Sequence, residues 1–167
     1  DTSGDGELDS GGNVVFSSTD TGSTGTLTVE GDSDVTLTQL DATDPEVTNV
    51  NVVNNLSGGA ALDITGSSPA VDLGASVESL SFSGSGDINL GTGIENPTAD
   101  ADDQTNFDGL GISGGTLTSI DASSLSGDLD LGEINEKSAG QVNIDNFTFT
   151  AGSGVTTVTL GNIGAPT

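Results

Sequence analysis

Oxygen-bearing side chains at near-alternate positions are the ligand pattern of hard divalent cations, and two stretches of this chain carry it. The first is DTSGDGELDSGG, residues 1–12. Asp1, Ser3, Asp5 and Asp9 fall where a calcium-loop signature puts side-chain ligands, Gly6 takes the turn position, and Glu7 offers a backbone carbonyl. The twelfth residue is Gly12 where that signature has a bidentate Glu, and no helix-forming run flanks the loop. The second stretch, TGIENPTADADDQTNFDGLGISGG (92–115), gathers Asp100, Asp102, Asp103, Asn106 and Asp108 ahead of a Gly. Calcium is therefore the expected cofactor, with these ten residues as the candidate metal ligands. The competing reading of each stretch is a solvated acidic loop.

Other chemistry is narrowed by what the chain lacks. It has 167 residues, 26 acidic against one basic side chain (Lys137), and no His, Cys, Met, Trp, Tyr or Arg, for a formal charge of −25. Without Arg, such a polyanion is not expected to bind nucleic acid, and anionic lipid would repel it. No apolar run is long enough for a membrane span, so no membrane insertion is expected, and no signal peptide stands at the first residue. A serine triad or a His/Cys zinc site has no residues to use. A glycosidase needs only two carboxylates, but the Trp and Tyr on which sugar rings stack are missing. The expectation is that the protein is not an enzyme. A carboxylate surplus of this size repels itself, and calcium-rich or salty water outside cells makes it tolerable.

The elements that would position the acidic stretches are short strands. VTNVNV (47–52), VESLSF (77–82) and VTTVTL (155–160) place apolar residues first, fourth and sixth, and LTSIDA (117–122) is a fourth copy with a small last residue. A second element follows three of them: SGGAALDI (57–64), SGSGDINL (83–90) and SGDLDL (126–131), each a Ser-Gly turn leading into an alternating strand. GTLTVEGDSDVTLTQL (25–40) is a looser version. Period-two alternation with β-branched residues and Gly-Ser-Asp punctuation specifies strands, and no stretch specifies a helix. Recurrence every few tens of residues favours an all-β parallel β-solenoid, with a β-sandwich as the alternative. The repeat starts lie 30, 40 and 38 residues apart, irregular for a solenoid. The expected core is Val47, Val50, Val52, Leu62, Ile64, Val77, Leu80, Phe82, Ile88, Leu90, Leu117, Ile120, Leu129, Leu131, Val155, Val158 and Leu160. Residues 1–24 are expected to form an acidic N-terminal segment and first strand. Residues 25–167 are expected to form a repeat-built β domain with an acidic insert at 92–115.

TLTVEGDSDVTLTQL and LTSIDASSLSGDLDL resemble the Gly/Thr/Asp-rich β-solenoid segments of secreted bacterial S-layer proteins and RTX-type adhesins. NVVFSSTDTGSTGTLTV (13–29) is similar to strand text in filamentous haemagglutinin-type helices. The RTX nonapeptide GGxGxDxUx does not occur in clean form. The resemblance implies export, calcium-dependent order and assembly on the cell surface. The reading that follows is a structural extracellular protein that self-assembles with identical copies, calcium bridging its carboxylates. The alternatives are a calcium-dependent adhesin module that binds cell-surface polysaccharide, and a halophile's surface or pilus protein.

Overall fold

The computed structural model describes residues 12–65, 70–74, 76–91, 94–95, 117–134 and 148–160, and the regular elements among them are strands. Every strand pairing is parallel. Parallel neighbours need a crossover rather than a hairpin, and here each crossover is made by a strand of a second sheet. The expected β-solenoid is the fold.

One sheet has five strands, stacked in chain order: β2 (Ser23–Gly31), β4 (Val47–Leu56), β7 (Ser79–Gly84), β10 (Ser119–Leu125) and β12 (Thr148–Thr150). Between them the chain visits an eight-stranded sheet made of β1 (Gly12–Val15), β3 (Val35–Ala42), β5 (Ala61–Ile64), β6 (Val71–Leu73), β8 (Asp87–Asn89), β9 (Ile94–Glu95), β11 (Leu129–Ile134) and β13 (Thr156–Leu160). β3 serves two columns of this sheet. Its first half, from Val35, pairs with β5, and its second half, from Leu40, pairs with β6. β5 then continues to β8, and β6 to β9.

Inward side chains stack rung on rung. Val50, Leu80 and Ile120 are successive partners, as are Leu27, Val52 and Phe82, and all are buried. Facing them from the eight-stranded sheet are Leu62, Ile88 and Leu129, also successive partners and buried. Burying each such side chain is worth about 1.5–3 kcal/mol, and this one column-built cluster is the core. Phe16 packs on its first rung, where a side chain in place of Gly25 would strike the ring.

Register settles the irregular spacing. Partners in the five-stranded sheet are separated by 25 residues (Leu27 and Val52), 30 (Val50 and Leu80), 40 (Leu80 and Ile120) and 29 (Ile120 and Phe149). The basic rung is thus 25–30 residues, and the rung that contains the 92–115 insert is the long one. The expected alignment of VTTVTL with LTSIDA is corrected. Residues 156–160 form β13, which lies beside β11 in the other sheet, and the true counterpart of Ile120 is Phe149 of TFT. Val155 accordingly stands at a corner, 67% exposed, rather than in the core; Val158 is partly buried. The side chain of Leu160 lies outside the described residues. The other fourteen expected core residues are buried.

Candidate functional site

All ten candidate calcium ligands, Asp1, Ser3, Asp5, Glu7, Asp9, Asp100, Asp102, Asp103, Asn106 and Asp108, lie outside the described residues. Those of the second stretch fall in the chain between β9 and β10, on the return from the eight-stranded to the five-stranded sheet. Among the described residues no group of three or more carboxylates converges as a metal site. The functional geometry that the described residues do carry is a pair of unlike outer faces, a stapled corner and two solenoid ends.

The eight-stranded face is acidic. Asp41 lies opposite Asp72, and Asp72 opposite Glu95, so three acidic positions stack on consecutive rungs. Like charges directly opposite each other weaken a ladder. Asp41 Oδ1 accepts from the Thr43 N–H at 3.0 Å and the Thr43 hydroxyl at 2.8 Å, which spreads part of its charge. A second column runs Asp63, Asn89, Asp130. There the Asn89 amide donates to Asp63 Oδ1 at 3.1 Å, separating two carboxylates by a neutral donor. Glu46, which precedes β4, buries Oε2 without a hydrogen-bond partner.

The five-stranded face is nearly neutral. One outward column reads Thr24, Asn49, Ser79, Ser119, Thr148, and the next Thr26, Asn51, Ser81, Asp121, Thr150. The Ser79 hydroxyl donates to Asn49 Oδ1 and the Ser81 hydroxyl to Asn51 Oδ1, both at 2.6 Å, so adjacent rungs lock each other's rotamers. Between β4 and β7 these columns pair amide with hydroxyl rather than amide with amide. Asp121 is the only acid in these two columns. It accepts the Ser123 N–H at 2.8 Å, and that bond first, then the Ser123 hydroxyl, holds its carboxyl below the usual aspartate range.

The corner leading from the five-stranded to the eight-stranded sheet is built from side-chain staples. Asp34 Oδ1 accepts the Ala61 N–H at 2.9 Å, Asp87 Oδ1 the Asp128 N–H at 2.8 Å, and Asp128 Oδ1 the Val155 N–H at 2.7 Å. Each aspartate thus satisfies a backbone donor one rung further on. An open groove of about 180 Å³ runs along this corner, lined by Asp87, Asp128, Asp130 and Thr157 among others. Asn54 completes the corner from inside. It is fully buried; its amide donates to the Asp87 carbonyl at 2.7 Å, and its Oδ1 accepts the Leu56 N–H at 3.2 Å. Gly84, opposite Asn54, has φ 109°, and a Cβ there would collide with the Asn54 carbonyl. These corner roles were missed from sequence, although the recurrent Asp before the alternating strand (DVTL, DINL, DLDL) was their signal.

The ends are the third feature. β1 and β2 head the solenoid and β12 and β13 close it, and among the described residues each pairs on one side only. In a chain of charge −25, these four strands together hold a single carboxylate, Glu30. No family model, curated protein or solved structure matches the chain.

Proposed function

We propose that this chain is a structural segment of an extracellular surface protein, of the S-layer, adhesin or filament kind, whose copies stack end to end with calcium bridging their carboxylates. The observation that carries this reading is the pair of ends, whose four strands hold a single carboxylate. Exposed strand edges are ordinarily protected by charge, Lys above all, or by Pro. Here the described acidity falls mostly on the eight-stranded face and the corners, and among the described residues the end strands have no partner on their outer side. Because the ladder is parallel throughout, the first rung of one copy and the last rung of another are its two complementary sides. Such a head-to-tail contact does not close, and it propagates as a fibre or a sheet.

Calcium enters through charge. Two copies of this chain repel each other, and the Asp41 and Asp72 pair adds to that repulsion on one face. Divalent ions held between carboxylates, on this face and in the 1–12 and 92–115 stretches, relieve it. An extracellular setting supplies the ion at the concentration that weak oxygen sites require.

The test is sedimentation velocity and electron microscopy across a calcium titration, with magnesium and sodium chloride as controls. Rods or sheets at millimolar calcium, dissolved by chelator, are expected for sites of the weak extracellular class. Thr148 donates its N–H to the Thr118 carbonyl just ahead of β10, so the next N–H along β12, that of Phe149, points away from β10. Phe149→Pro removes that donor and is expected to suppress growth while circular dichroism still reports strand. A protein that stays monomeric at high concentration with calcium present would refute the proposal. Order restored by molar sodium chloride alone would point to the halophile reading instead.

A further inference from the structure

The neutral face of the five-stranded sheet is a surface that assembly through the ends leaves uncovered. Its outward groups form a two-dimensional grid. Rungs repeat at about 4.8 Å across the strands, and alternate residues repeat at about 6.7 Å along them. The register is unbroken between β2 and β4 from Thr24 to Gly31 and between β4 and β7 from Asn49 to Asn54, and through β10 and β12 both main columns persist over five rungs. Rung-to-rung bonds at 2.6 Å fix the central Asn and Ser rotamers before any ligand arrives.

Three occupants compete for such a face, and magnitudes separate them. A second copy is too small a gain: five strands by two columns cover about 320 Å², against the roughly 800 Å² per partner of a stable protein interface. A soluble ligand gains little either, because liquid water already satisfies hydroxyls and amides, and each exchange nets only about 0.5–1.5 kcal/mol. A rigid, uncharged lattice with the same repeat differs from both. All contacts form in one register, and neither side loses conformational freedom on contact. The oxygen rows on a prism plane of hexagonal ice repeat close to both spacings of this grid, and they are hydroxyl chemistry throughout. A crystalline polysaccharide is the other uncharged lattice, but it is ordinarily gripped by aromatic stacking, and the chain has no Trp or Tyr.

We propose that the outer face of the five-stranded sheet binds the surface of ice. The hydroxyls and amides of Thr24, Thr26, Asn49, Asn51, Ser79 and Ser81 anchor lattice waters, the threonine methyls sit between those waters, and Asp121 is the one charged defect in the grid.

The experiment is partition of the protein into a slowly growing ice hemisphere, alongside thermal hysteresis, with pull-down on cellulose and chitin as the second arm. The wild type is expected to enrich in ice and to shape the crystals. Asn51→Lys, at the middle of the grid and on the outside of the fold, should abolish enrichment with unchanged circular dichroism, and Asp121→Thr should increase it. Glu30→Lys, beyond the grid at the end of β2, should leave ice enrichment unchanged. Exclusion of the wild type from ice would overturn the proposal, as would enrichment that survives Asn51→Lys. Binding to cellulose or chitin without ice would assign the face to polysaccharide instead. None of these readouts depends on calcium or on end-to-end assembly, so failure here is distinct from failure of the assembly proposal.

Discussion

Replacing Asn54 by Leu keeps the side chain's approximate volume and removes its hydrogen bonds. The structure sets the cost. The substitution orphans the part-buried Asp87 carbonyl, held at 2.7 Å, and the buried Leu56 N–H, held at 3.2 Å, around a side chain that itself has no access to solvent. Each unsatisfied buried group costs about 1–3 kcal/mol. The added apolar burial offsets part of that, leaving a net loss of about 2–4 kcal/mol. This is a large share of a folded domain's usual 5–15 kcal/mol. Urea unfolding followed by circular dichroism reads it as a midpoint shift of about 1–2 M, taking a slope of about 2 kcal/mol per molar. Asn51→Leu is the control, because Asn51 faces outward and loses its bond to Ser81 where water replaces it. It should cost less than about 1 kcal/mol. Equal midpoints for the two variants would refute the corner argument, since the same residue type would then matter equally inside and outside the fold.

Gly127→Ala places a methyl group against the Gly86 carbonyl of the previous rung and should destabilise by about 2 kcal/mol or more, measured by the same unfolding. Gly58→Ala, with φ 71° but open space around it, should cost only about 1 kcal/mol. Carboxyl NMR should find Asp121 titrating below ordinary aspartates, and Ser123→Ala should raise it only partway, because the backbone donor remains. Its folded pKa is depressed, so its stabilising contribution is present above the unfolded value and lost as pH falls through the folded one. Thermal midpoints at pH 7 should rise with sodium chloride as the net −25 is screened; a midpoint indifferent to salt would mean the carboxylates do not repel appreciably.

The strands were legible because their inward positions obey a two-residue period, and Val50, Leu80 and Ile120 announce the same column at three points of the sequence. The unit of strand, turn and strand was legible for the same reason, and LDI, INL and LDL do lie side by side. The last rung was misread because VTTVTL carries the apolar spacing of one sheet while the turn before it, GSG, delivers it to the other. Hydrophobic spacing alone does not say which sheet a strand joins; the turn that precedes it does. Asn54 was not recognisable as a corner residue, since a buried amide and a solvent-facing one look alike until the groups across the fold are known. The Asp column of the corner was visible as a recurrence, but its partners are backbone donors about 27–41 residues away in sequence. The proposed calcium stretches rest on residue types and spacing alone, for they fall outside the described strands.

Because each rung is bonded only to the rungs before and after it, the first and last described strands sit at opposite ends of the stack. Tension applied through the chain therefore peels the solenoid rather than shearing it. Interstrand bonds open one after another from an end, at low force, and never all together. Each released rung of 25–30 residues adds about 80–110 Å of extended chain, and the 40-residue rung about 130–145 Å. A surface layer made of such units would yield in small unequal steps and recoil as the rungs re-stack, a shock absorber whose step lengths are written in the spacing of its repeats.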